Sequence, residues 1–123
     1  AIDGPFALSN ITLQNYPIRL IFLMEKRKPH YDLPTVQSAI RLRGADAFTS
    51  TALIGAQAMG LEIAQAIEVV CSMCRSDFYK SMTTYASSQI WQDVYHPETP
   101  AGIAYVKVTL RHDGSIVIQF KEK

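Results

Sequence analysis

In Ala104-Tyr-Val-Lys-Val-Thr-Leu-Arg111 the even positions are apolar (Ala104, Val106, Val108, Leu110) and the odd ones are Tyr105, Lys107, Thr109 and Arg111. A period of two sustained over eight residues specifies a strand with one buried face. Ile116, Ile118 and Phe120 repeat the pattern after the turn residues His112-Asp113-Gly114. The two runs form a hairpin, and the loop length sets its register. A two-residue Asp113-Gly114 turn pairs Leu110 with Val117 and puts the two apolar sets on opposite faces. A three-residue loop with Gly114 left-handed pairs Leu110 with Ile116 and merges them.

The second register has a chemical consequence. Tyr105 then stands opposite Lys121, and Lys107 opposite Gln119, on the face turned away from the apolar set. Directly opposed Cβ atoms lie about 5 Å apart. A tyrosine beside two lysines on an open sheet face suits a phosphate and a stacked base. A solvated face with lysine stems lying along it gives the same pattern.

Upstream, the period changes to that of helices. Asp32 or Leu33 caps a first helix with Pro34 in its first turn, Val36, Ala39 and Ile40 as its apolar stripe, and Gly44 at its end. Thr49 or Ser50 caps a second, which Gly60-Leu61 closes. A third runs from about Glu62 to Cys74 and is mostly apolar. Ser76-Asp77-Phe-Tyr-Lys80 is expected to open a further short helix or turn with Ser76 as N-cap. Gln89–Tyr95 is aromatic and β-branched, hence strand-like. Helices followed by an antiparallel sheet that ends in a hairpin make an α+β domain.

At 123 residues the chain is expected to form one domain, here 24–123, behind an N-terminal extension over 1–23. Ala1–Ala7 reads as an expression remnant, and Met24 as a native start. With 48% hydrophobic and 19% charged residues, a disordered chain is excluded. The net charge of +1 makes it no polycation, so nucleic-acid binding requires a local patch. Between Arg19 and Arg43 six basic residues face two acidic ones, and Lys26-Arg-Lys28 is the densest run. Two cysteines cannot make a disulfide framework; Cys71 and Cys74 read as small core thiols in a reducing cytoplasm. CxxC without a second pair cannot complete a structural zinc site.

Asp77-Phe-Tyr-Lys-Ser-Met-Thr-Thr-Tyr85 and Ile90-Trp-Gln-Asp-Val-Tyr95 closely resemble the MqsR family, the motility quorum-sensing regulator toxins of bacterial toxin–antitoxin pairs. The resemblance extends through Tyr105-Val-Lys107 and Phe120-Lys-Glu-Lys123, and at the front through Met24-Glu-Lys-Arg27, covering about 100 residues. It implies a RelE-like α+β fold and an mRNA endoribonuclease that needs neither ribosome, metal nor cofactor. Cleavage is implied at short GC-containing sites in single-stranded RNA. The implied partner is a cognate antitoxin, MqsA-like, with a zinc-binding N-terminal domain and a helix-turn-helix C-terminal domain. The family's catalytic positions fall on Lys80, Gln92, Tyr105 and Lys121, with Met82 and Lys107 expected to contact substrate. The alternative on the same scaffold is a non-catalytic RNA-binding or antitoxin-sequestering module.

RNA carries its own nucleophile, the 2′-hydroxyl. The protein must deprotonate it, hold the phosphate in line, stabilise charge and protonate the leaving 5′-oxygen. Lys80 and Lys121 are expected to clamp the phosphate, Tyr105 to carry a proton or support a base, and Gln92 to orient phosphate or ribose. The general base is left open, because lysine and tyrosine ordinarily titrate near pH 10. Mutual Lys–Lys–Tyr proximity is one way to depress such a value. Trp91 and Phe78 are expected in the core. His96, just after the Trp91–Tyr95 strand, is read first as a structural residue, with RNA contact or proton transfer as the alternative. Asp93 is read first as making structural hydrogen bonds, with orienting a lysine as the alternative.

Overall fold

A computed structural model describes Phe6–Ala7, residues 23–84 and residues 89–123. The expected extension over 1–23 lies outside these residues apart from Phe6–Ala7 and Leu23. In chain order the elements are β1 (Phe6–Ala7), β2 (Leu23–Lys26), α1 (Leu33–Arg43), α2 (Ser50–Ala58), α3 (Ile63–Cys71), β3 (Phe78–Thr83), β4 (Trp91–Tyr95), β5 (Glu98–Thr99), β6 (Gly102–Leu110) and β7 (Ile116–Glu122). The strands form one antiparallel sheet in the order β1-β2-β3-β4-β6, with β7 and the short β5 also paired to β6. Three helices and this sheet make the α+β domain expected from the sequence.

The helix boundaries follow local chemistry. Asp32 accepts the Thr35 N–H at 3.1 Å at the start of α1, and Gly44, at φ +60°, ends it. Thr49 Oγ1 accepts the Ala52 N–H at 3.0 Å to cap α2. Beyond α2 the Leu61 N–H returns to the Ala56 carbonyl at 3.0 Å, across Gly60 in the left-handed region. α3 stops at Cys71, three residues short of the expected end. The α1 side chain Gln37 donates to the Val70 and Met73 carbonyls at 3.2 and 2.8 Å, so the last turn finds partners outside the helix. Cys71 is buried as expected, whereas Cys74 is exposed beside Ser76 and Asp77.

Ser76–Lys80 departs from expectation. Arg75–Asp77 makes a single 3-10 turn, and Asp77, not Ser76, supplies the cap by accepting the Cys74 N–H at 2.9 Å. Phe78–Thr83 is then a strand, because Ser81 and Thr83 are fully buried against the core side and the backbone pairs with β4. Pairing slips between Phe78 and Lys80. Such a bulge re-aims the side chains around it.

The hairpin takes the three-residue-loop register. Leu110 pairs with Ile116, Tyr105 with Lys121 and Lys107 with Gln119, and Gly114 has φ +86°. Val106, Val108, Ile118 and Phe120 therefore face the same way and pack with Val36, Ile40, Ala52, Ala56, Ala66 and Val70 from the helices. α2 approaches β7 through Gly55, which lies directly against the Phe120 carbonyl. No single helix among the described residues is long and apolar enough to cross a membrane.

Asp93 is 1% exposed. Its carboxylate accepts the His30 N–H at 3.0 Å and the Tyr31 N–H at 2.9 Å, pinning the segment between β2 and α1 to the sheet. Its role is thus structural. Asp93→Ala strands two donors without their charged acceptor, and a loss of roughly 2–3 kcal/mol is expected in urea unfolding. A loss below about 1 kcal/mol would contradict this reading of Asp93.

Candidate active site

Directly paired residues share a face of a sheet, as do residues two apart on one strand. Lys80 pairs with Val94, Val94 with Lys107, and Lys107 with Gln119, making one row across four strands. Glu25, Met82 and Gln92 make the neighbouring row. Tyr105 and Lys121 extend the set on the other side. All six candidates, Lys80, Met82, Gln92, Tyr105, Lys107 and Lys121, therefore stand on the face opposite the helices. Val94 is their floor: it is fully buried yet stands apart from the main core cluster.

Ring contacts tie the lysines together. Lys80 Nζ is 5.5 Å from the centre of the Tyr79 ring, and Arg27 lies 5.6 Å from the same ring. Tyr79 stacks on His96 at 4.6 Å and 24°. His96 meets Tyr105 at 5.6 Å, and Lys121 Nζ lies 5.3 Å from the Tyr105 ring. The His96 backbone N–H is fixed to the Asp77 carbonyl at 2.8 Å, while its buried Nε2 has no hydrogen-bond partner. Lys80 also forms the one ion pair found among the described residues, to Glu25 Oε2 at 2.6 Å.

The electrostatics correct one expectation. Burial raises the Tyr105 phenol above its ordinary value of 10; nearby Lys80 opposes this and Tyr79 adds to it. Burial outweighs the cation, so Tyr105 keeps its proton at neutral pH. Lys107 is lowered, by burial first and then by Lys121. His96 is lowered by burial and by Lys123, and is neutral at pH 7.

Tyr105, Lys107 and Lys121 also line a cleft of about 420 Å³ with Thr49, Thr51 and Gln119. A cavity of about 440 Å³ lies elsewhere, between α3 and β5. It carries Glu68, Asp77 and Glu98 and none of the candidates, so its charge repels a phosphate. Of these two, the cleft beside Tyr105 is the one suited to a nucleotide.

Sequence reasoning missed two neighbours of this face, Tyr79 and Glu25. Tyr79 reaches it through the bulge in β3, which no local pattern announces. Glu25 reaches it through pairing of β2 with β3. Of the basic run Lys26-Arg-Lys28 that the sequence offered for phosphate, Arg27 lies beside Tyr79, whereas Lys26 lies 4.2 Å from the Trp91 ring. Trp91 is not in the core as expected but half-buried, stacked on His30 at 5.3 Å. Phe78 packs against the core.

Residues 28–122 match the family described as motility quorum-sensing regulator, toxin of MqsA. The chain belongs to the MqsR toxin family. It is also 43% identical over 100 residues to the mRNA interferase toxin MqsR of Escherichia coli (strain K12), covering 81% of this chain and the whole of that relative. The stretch matched to the MqsR family runs from before α1 into β7, so Lys80, Met82, Gln92, Tyr105, Lys107 and Lys121 all lie inside it. Glu25 precedes it.

Proposed function

We propose that the chain is the toxin of a toxin–antitoxin pair and an mRNA endoribonuclease, acting in the cytoplasm on single-stranded RNA without ribosome or metal. The observation that carries this reading is the grouping of Lys80, Lys107, Lys121 and Tyr105 on one sheet face over the apolar floor of Val94. The name of the Escherichia coli relative, an mRNA interferase toxin, supports the same activity.

Lys80 and Lys121 hold the scissile phosphate and stabilise the charge that develops on its oxygens. Tyr105 carries its proton at neutral pH and donates it to the leaving 5′-oxygen. Gln92 orients the ribose or phosphate through its amide, and Met82 gives an apolar contact beside it. Lys107 lies in the cleft, where its lowered pKa marks a partly desolvated cation suited to a backbone phosphate or a base edge. The 2′-oxygen attacks phosphorus, the bond to the 5′-oxygen breaks, and the products are a 2′,3′-cyclic phosphate and a 5′-hydroxyl.

Cut sites are short and contain GC, and the partner is an MqsA-like antitoxin with a zinc-binding N-terminal and a helix-turn-helix C-terminal domain. The test uses purified protein on a defined single-stranded RNA with EDTA and no ribosomes. Discrete cuts with cyclic-phosphate and 5′-hydroxyl ends are expected. Binding without cleavage would favour the RNA-binding alternative, and cleavage lost in EDTA would remove metal independence.

A further inference from the structure

Cleavage needs an acceptor for the 2′-hydroxyl proton. We propose that Glu25 is that acceptor, the general base of the reaction, released from Lys80 when the scissile phosphate takes the lysine's ammonium. This rests on the proposed endoribonuclease activity.

The choice follows from what stands on the face. Lys80 and Lys121 are given to the phosphate, the Arg27 guanidinium and the Gln92 amide are not bases, and Lys107 stands two strands away from Lys80 across Val94. Tyr105 holds its proton. His96 is the rival, but it is clasped between the Tyr79 and Tyr105 rings with Nε2 enclosed. Glu25 is the carboxylate on this face among the described residues. Its Oε2 lies 2.6 Å from Lys80 Nζ, and its side chain is 13% exposed. It pairs with Met82, whose other neighbour is Gln92, so carboxylate and amide stand on either side of Met82 in one row beside Lys80. Cβ atoms in such a row are about 5 Å apart.

A base must sit next to the phosphate clamp, because the 2′-hydroxyl is attached to the carbon beside the scissile 3′-oxygen. An acid paired with Lys80 meets that demand, and the pair is preformed. In the step, Glu25 takes the 2′-hydroxyl proton while the 2′-oxygen bonds to phosphorus. The phosphorus–5′-oxygen bond breaks and Tyr105 gives its proton to the 5′-oxygen. Exchange with solvent restores both groups. Among the described residues the charged group that meets Glu25 is Lys80 from β3, where its strand partner is Met82; β1 pairs through Phe6 and Ala7 with the neighbouring Met24 and Leu23.

The experiment measures kcat, KM and the pH profile of RNA cleavage for wild type, Glu25→Gln and Glu25→Asp, with wild type and Lys80→Ala run in parallel. A base must be ionised, so the wild-type rate falls toward acid pH with unit slope. Glu25→Gln is expected to lower kcat by about 100-fold or more with KM unchanged or reduced, and to lose that acid limb. Glu25→Asp keeps the limb at a reduced kcat, and decides the matter if the glutamine variant fails to fold. If Glu25 merely tethers Lys80, the glutamine variant binds RNA more tightly and cleaves as fast as wild type or faster, which overturns the proposal. An acid limb retained in Glu25→Gln but lost in His96→Phe also overturns it, in favour of His96. Failure of wild type itself to cleave removes the endoribonuclease reading together with this one.

Discussion

Alanine at Gly55 is expected to destabilise the domain by about 3–5 kcal/mol, an effect at the top of the range for one added methyl. A Cβ at this position would stand 2.1 Å from the Phe120 carbonyl oxygen, 3.1 Å from its carbon and 3.2 Å from Lys121 Cα. All three are backbone atoms, so no side-chain rotation relieves the clash. α2 must lift from β7, and Ala52 and Ala56 leave the core with it. Against a total stability of 5–15 kcal/mol for a domain, roughly, this lowers the melting temperature by about 10 °C or more. The strand displaced is the one that carries Lys121, so RNA cleavage falls as well. A Gly55→Ala protein melting within about 2 °C of wild type would show that helix and strand do not approach this closely.

The largest effect on activity is expected from Lys80→Ala. Lys80 is on the face opposite the helices, and its neighbours are Glu25, Tyr79 and Val94, none of them in the main core cluster. The fold therefore survives the change. Removing one group that stabilises transition-state charge lowers the rate by about 10²–10³-fold. Here the loss falls on kcat as well as KM, because the ammonium meets the phosphate as its charge develops. Expression of the wild type is expected to arrest growth, and expression of Lys80→Ala to permit it. A folded Lys80→Ala protein cleaving at the wild-type rate would remove Lys80 from the mechanism.

The hairpin was fully legible in the sequence. A two-residue period and a choice between two loop lengths leave one register that merges the apolar sets, and that register aligns Tyr105, Lys107 and Lys121. The caps at Asp32 and Thr49 and the stops at Gly44 and Gly60 were legible for the same reason: each is a local hydrogen bond or backbone conformation. What depends on distant pairing was not. Ser76 is a plausible N-cap by type, but β4 lies alongside Phe78–Thr83 and its backbone pairing overrides the local preference. The slip in that pairing brings Tyr79 beside His96, and no spacing rule encodes it. Glu25 and Lys80 are 55 residues apart in the chain and meet only because β2 adds to the edge of β3. Trp91 looked like core by composition, yet its place is beside the His30 segment, where Lys26 and His30 cover it. The candidate site was thus readable where motif and hairpin supplied it, and unreadable where the sheet assembled it.

The most direct measurement is a structure of the protein bound to a single-stranded oligonucleotide made uncleavable by a 2′-deoxy substitution at the cut site. One phosphate is expected within hydrogen-bond distance of both Lys80 and Lys121, with Tyr105 at its 5′-oxygen and Gln92 on the same nucleotide. An oligonucleotide seated elsewhere, or one that spreads these four side chains over unrelated phosphates, would contradict a single active site on this face.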